Sequence, residues 1–288
     1  MSGKIKDRRI NRRRSLDESE EGVATTVGTI MALLVFLSLL SLITQQYVPV
    51  WMEDNEAYHM DDVKARFAEM KGSIDSLIMT DQKGYPRYSS MRLGAEGIPL
   101  FATSSPGVIR HRPRWAAEED RGMRVNWSHE GEETILHSSG NISHEAYNRY
   151  FEEQTIVYEH GAIILDQEEG EVMRAKPPIS IEEVGDEYRI RLTMVDLRGS
   201  ERDIGGGGTV GITTELVSSF RNSYEDPGNF SFELTTAYPQ VWRSYFENET
   251  DVPQVNIING NTIALDFEGQ EIYELDIIRA RIKVELSL

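Results

Sequence analysis

The sequence predicts an α+β chain in which one long N-terminal helix, transmembrane and then amphipathic, feeds a β-rich, mostly antiparallel, sandwich-like head. Three observations carry that expectation. No charged side chain occurs in the 31 residues between Glu21 and Glu53. Directly behind them Met60, Val63, Phe67, Met70, Ile74 and Leu77 recur at alternating spacings of 3 and 4, which lays one apolar stripe along a helix. Beyond about Thr155 the apolar residues alternate at period two between turn signals, the mark of strands with one wet face.

The elements follow in order. Residues 1–22 form a basic leader, with Lys4, Lys6, Arg8, Arg9, Arg12, Arg13 and Arg14 against Asp7 in its first fourteen positions. Residues 23–52 form the span. A bilayer core needs about 20 apolar residues in a helix, and the apolar run exceeds the roughly 7 to 15 residues of a cleavable secretory signal. Basic residues are held on the cytoplasmic side, so the leader is expected inside and the acidic residues from Glu53 onward outside, with Tyr47 and Trp51 at the interface. Residues 53–80 continue the helix, kinked at Pro49 and packed on the chain's own head. Residues 81–288 are the extracellular head.

Within the head, the stretch from Gly84 to Gly122 is rich in Gly, Pro and Ser and reads as irregular connections with a few short strands. Its basic cluster, Arg110, His111, Arg112 and Arg114, reads as a solvated loop. "TIVYEHGAIILDQEEGEVMRA" predicts three strands joined by tight hairpins at "HG" and "QEEG". "EYRIRLTMVDL" alternates through Tyr188, Ile190, Leu192 and Met194 and then changes phase at Val195 and Leu197. The final run does the same between Ile277 and Ile278. Such a phase change predicts a β-bulge. "YPQVWRSYFENE" is one helix, with Pro239 in its first turn and Val241, Trp242, Tyr245 and Phe246 on one side.

Composition excludes several functions. Among 288 residues, 30 Lys and Arg face 48 Asp and Glu, a formal net charge of −18. The leader takes seven of those cations, so the head is more acidic still, and nucleic acid is not an expected partner. There is no cysteine, which removes disulfides, thiol nucleophiles and Cys-based zinc sites.

The basic leader, Gly22 and the following "VATTVGTIMALLVFLSLL" resemble archaeal type IV pilin-like proteins with a class III signal peptide. "TIVYEHGAIILDQEEGEVMRAKPPISI" and "FELTTAYPQVWRSYF" are similar to uncharacterised envelope proteins of that kind. The resemblance implies a peptidase cut between Gly22 and Val23 and a mature apolar helix able to pack against identical or related subunits. Two departures stand out: "SLDESEE" separates the basic residues from Gly22, and Val27 occupies the position where bacterial pilins keep a Glu.

Other motifs read as ordinary structure. Gly206, Gly208 and Gly211 spell a dinucleotide fingerprint, but the preceding strand alternates and "RGSERDI" intervenes, so a flexible loop is expected. His137 and His144, with His129, Glu130 and Glu145 nearby, lack a zinc-ligand spacing. "DQEEGE" and "ENETD" lack the ligand order of a calcium loop. No catalytic, cofactor-binding or metal residue is singled out, and no enzyme activity is expected. Four sequons, at Asn126, Asn141, Asn229 and Asn248, are candidate glycan sites. The expectation is therefore a membrane-anchored archaeal surface protein, a pilin-like structural or interaction subunit. The alternative is a tethered extracellular module binding carbohydrate, ions or another cell.

Overall fold

The computed structural model describes residues 3–113 and 122–288, with side chains from Val23 onward. Arg114 and the side chains of the leader, with Gly22, lie outside the described residues. Helix α1 (Gly3–Leu42) passes through a π-helical turn (Ile43–Tyr47) into helix α2 (Val48–Met79). Pro49 causes the π turn. It has no N–H for the carbonyl four residues back, and its ring crowds that carbonyl. The helix widens there and Val48 N–H bonds Ile43 O, five residues earlier. The long helix is thus continuous, with a widened turn where the sequence predicts a kink.

Three sheets make the head. The central one runs, in spatial order, β1 (Arg87–Arg92), β12 (Thr209–Glu225), β16 (Glu271–Ser287), β10 (Glu187–Gly199) and β9 (Ile179–Val184), strands being numbered along the chain. A second sheet joins β11 (Arg202–Gly206), β2 (Gly107–Arg112), β5 (Asn141–Ala146), β6 (Gln154–Glu159), β7 (Ala162–Gln167) and β8 (Gly170–Ala175). The third joins β14 (Gln254–Ile258), β15 (Thr262–Asp266), β13 (Gly228–Thr235), β3 (Gly122–His129) and β4 (Glu132–Ser138), with helix α3 (Pro239–Glu249) packed beside it. Every pairing is antiparallel except β10 with β16. The "HG" and "QEEG" hairpins form as expected. His160 and Gly161 both take positive φ, 48° and 82°, as a two-residue hairpin turn requires.

Two hydrophobic cores result. The α2 stripe, from Met60 through Leu77, is buried among residues of the second sheet and of one half of the central sheet. The other core joins α3, the third sheet and the other half of the central sheet. The cores lie on opposite faces of the central sheet, offset along its strands, and this explains the phase changes. In β10, Tyr188, Ile190, Leu192 and Met194 enter the α3 core, whereas Val195 and Leu197 enter the α2 core. In β16, Leu275 and Ile277 face α3, and Ala280, Ile282, Val284 and Leu286 face α2. The β10/β16 register is unbroken from Arg189 to Gly199. The expected bulge is therefore absent at these switches: each strand leaves one core and joins the other across its own thickness.

In β12 the opposite device operates. Val210, Ile212 and Leu216 face α2, while Phe220 and Tyr224, at the same parity, pack on the α3 side. Here the register does shift, between Leu216 and Ser218, so the extra residue Val217 turns the strand over.

Phe67 is fully buried at the centre of the α2 stripe. Phe67→Ala is expected to lower stability by about 3 to 5 kcal/mol, measured by denaturant unfolding of the full chain in detergent. Arg66→Ala, whose partners Asp62 and Glu69 are exposed, should stay within about 0.5 kcal/mol. Equal effects at the two positions would contradict the docking of α2 on the head.

Candidate functional site

The feature that sets this chain apart is the change of surroundings along one helix. From Val23 to Tyr47 nearly every large apolar side chain is exposed, including Ile30, Leu34, Phe36, Leu37 and Leu42. From Val48 one face becomes buried, through Val48, Met52, Glu56, His59, Met60 and Val63. The segment Val23–Met79 contains the one helix among the described residues that is long and apolar enough to cross a membrane. At a rise of about 1.5 Å per residue, residues 23–47 make a rod of roughly 37 Å, enough for a hydrocarbon layer of about 30 Å.

A polar lock marks the point where the head begins. Glu56 is fully buried on the face that otherwise carries apolar residues. Its carboxylate accepts from the backbone N–H groups of Arg149 (3.0 and 3.1 Å), Tyr150 (2.8 Å) and Phe151 (2.7 Å), and from the Ser105 hydroxyl. Burial pushes the Glu56 carboxyl up, but the bonds from Ser105 and the three amides outweigh it and hold it below its usual range. One turn on, His59 Nε2 and His144 Nε2 approach the same acceptor, Leu93 O, at 3.1 and 2.9 Å. A carbonyl only accepts, so both rings carry their proton on Nε2. Burial lowers the pKa of both rings, that of His144 to about 4, where His59 adds a like charge. Gly107 is required here: a Cβ would lie 2.0 Å from Leu93 O and 2.9 Å from His144 Nε2. At the far end of α2, Arg221 donates to the Ile78 carbonyl and Asp81 accepts from Ser219 at 2.5 Å, which closes the helix C-terminus against the central sheet.

A second buried carboxylate joins the two cores. Glu159, at the end of β6, accepts from Thr236 Oγ1 (2.6 Å) and Trp242 Nε1 (2.7 Å). Burial raises its pKa against those two bonds, and burial alone lowers that of neighbouring His160 to about 4.

At the end of the head remote from the rod, the β12–β13 and β15–β16 turns enclose a cleft of about 870 Å³. Glu187, Asp226, Asn229, Asn256 and Asp266 line it, and Phe230 meets Phe267 edge-to-face at 5.4 Å.

The sequence candidates fall as follows. Asn229, at positive φ at the start of β13, and Asn248, on α3, are exposed; Asn126 is half-buried mid-strand in β3, and Asn141 is buried at the start of β5. The glycine run is not a loop throughout: Gly206 ends β11, Gly211 lies in β12, and only Gly207 and Gly208 link them; "TELVSSF" also belongs to β12, so no helix N-terminus faces the glycines. The basic cluster is not a loop but strand β2. Arg110 pairs with Glu145 and Asp203, Arg112 pairs with Glu201 and Asp203, and His111 is buried against Ser200 O. His137 and His144 stand in different sheets, and no group of three or more His, Asp or Glu among the described residues is placed to hold a metal. Sequence reading passed over Glu56 and His59. Their signal was position: both fall on the line that Met52, Met60 and Val63 define as the buried face.

Fold and junction together define a class: a β-rich domain carried on a single N-terminal helix long and apolar enough to cross a membrane. Residues 117–285, most of the head, match the model of a family of unknown function (DUF7289), and the chain belongs to that family. No characterised protein and no solved structure matches it.

Glu56→Ala leaves four donors without their acceptor, at about 1 to 3 kcal/mol for each buried donor. Amide exchange at Tyr150 and Phe151 is expected to accelerate sharply while β16 stays protected. Unchanged protection there would dismiss the lock. Stability should also depend on pH. His59, His111, His144 and His160 all have pKa values lowered by burial in the folded chain. The unfolded chain therefore binds more protons below about pH 6.5. Stability is full above that pH and falls as pH drops toward 4, where Glu56 begins to add its own loss. Glu159, raised by burial, acts in the opposite sense. A denaturation midpoint that stays flat from pH 7 to pH 4.5 would rule this out.

Proposed function

We propose that the protein is a single-pass, membrane-anchored surface protein of the archaeal pilin-like kind, with its leader in the cytoplasm and its head outside the cell. One observation carries the reading: the rod of residues 23–47 is apolar on every side and bare on every side, and water is a poor solvent for such a surface. Lipid is its first partner. The same rod suits bundling with identical or related subunits, since Ala24, Thr25, Thr26, Gly28 and Thr29 allow close helix approach. In this reading a leader peptidase cuts between Gly22 and Val23, and glycans attach at Asn229 and Asn248, the two exposed sequons. The role is attachment and association rather than catalysis.

The cleft at the remote end of the head supports a second reading, a tethered module that binds an extracellular ligand. The cleft lies at the ends of β12 and β16 that point away from the rod, and it combines acidic and amide side chains with Phe230 and Phe267.

Fractionation of native cells followed by N-terminal analysis tests the main proposal. The protein is expected in the membrane fraction with Val23 as its first residue. Recovery in the detergent-free cytosol would overturn the anchoring, and an intact leader would overturn the cut alone. Leu34→Arg combined with Leu37→Arg places two charges mid-span at about 2.5 to 3.5 kcal/mol each and should release the protein from the membrane.

A further inference from the structure

We propose that the turn at residues 97–102 is a second membrane contact, a short apolar finger of the head that enters the headgroup and acyl boundary beside the rod. The proposal rests on the anchored reading above.

Leu100, at the tip, is 102% exposed and Phe101 is 41% exposed, in a head whose other large side chains are mostly buried. The turn is not a loose loop. Bridges pair Ala95 with Ser105 and Ile98 with Ala102. The amides of Phe101 and Ala102 both donate to Ile98 O, at 3.0 and 2.9 Å. Gly97 lets the two arms close, since a Cβ there would lie 2.4 Å from Ala102 O. Leu100 holds φ at +70°, a left-handed conformation that bulky residues rarely adopt. A tightly tied turn therefore holds a bulky apolar side chain out into the surroundings.

Contacts along α2 show which way the finger points. Leu93 O meets His59, whereas Glu96 O accepts from Asn55 at 3.3 Å, so the chain descends toward the rod as it advances. On the return, Ser105 meets Glu56. Between these fixed points, three or four further residues at about 3.3 Å each carry Leu100 roughly 10 Å lower. At about 1.5 Å per helical residue, that is the level of Val48 to Val50, next to the exposed Tyr47 and Trp51. The burial of Val48 and Met52 shows that the head does reach that level.

The finger has company above it, toward the level of Glu56. Arg149 Nη1 donates to Thr103 Oγ1 at 2.8 Å, and Tyr147 N–H bonds Pro106 O at 3.0 Å. These contacts bring exposed Tyr147, Arg149 and Tyr150 alongside it. Leucine and phenylalanine below, tyrosine, tryptophan and arginine above, is the order of side chains that a lipid boundary selects. A protein partner in water would gain nothing from continuity with an apolar rod.

The absence of cysteine makes the test direct. Single variants Leu34→Cys in the rod, Leu100→Cys and Phe101→Cys in the finger, and Ile258→Cys at the remote end are each labelled with an environment-sensitive fluorophore. The full chain is reconstituted in zwitterionic vesicles that contain nitroxide lipids. Probes at Leu34 and at both finger positions should be quenched several-fold more than the probe at Ile258. Quenching at Leu34 with both finger probes matching Ile258 overturns the finger and leaves the anchor standing. No quenching at Leu34 overturns the anchored reading and the finger with it.

Discussion

The whole architecture answers to one constraint: a single unbroken helix has to satisfy two different surroundings. Its backbone is self-sufficient along its length, so only its side chains decide where each part can rest. The first part, residues 23–47, carries no charge and finds no covering from the protein. The second part carries a stripe that is fully covered. Glu56 stands where one regime gives way to the other. A carboxylate buried at that point is tolerable only because four donors meet it, which fixes the loop around Arg149 and the segment around Ser105 to one turn of the helix. The α2 core, His59, His144 and the second sheet are built outward from that turn.

The head resolves a second geometric demand. Among the described residues of the head, sixteen strands and one short helix have two apolar interiors to fill, and the central sheet serves both by presenting opposite faces at its two ends. β10 and β16 manage this by changing which parity is apolar, and β12 by inserting Val217. The two solutions are physically equivalent, since a strand shows a new face either when its sequence pattern slips by one or when its backbone does. Glu159 then links the interiors through Trp242 and Thr236.

Much of this was legible in the residues. The stripe from Met60 to Leu77, the hairpins at His160–Gly161 and Glu168–Glu169, and the helix at Pro239 were all local patterns, and local patterns survive folding here. The phase change at Val195 was also visible, but its meaning was not. A bulge and a change of core leave the same trace in sequence, and only the unbroken register against β16 separates them. The basic cluster misled for a similar reason. Arg110 and Arg112, themselves half-buried, alternate with the buried Ile109 and His111 in β2, yet their partners Glu145, Glu201 and Asp203 lie far along the chain, so the charges look unmatched until the sheet forms. Glu56 and Leu100 needed tertiary context: one is an acid on a buried face, the other an apolar residue in a turn rich in Gly and Pro.

β16 is the middle strand of the central sheet, paired on one side with β12 and on the other, in parallel, with β10. It is also the last of the sixteen to be synthesised. Neither interior can close before residues 271–287 are available, because that strand supplies one wall of each. Protein synthesis proceeds at about 5 to 20 residues per second, so the earlier strands wait many seconds with their apolar faces open. A chain built this way completes both interiors together and late, so its folding is governed by the arrival of its final strand rather than by the order in which the earlier ones are made.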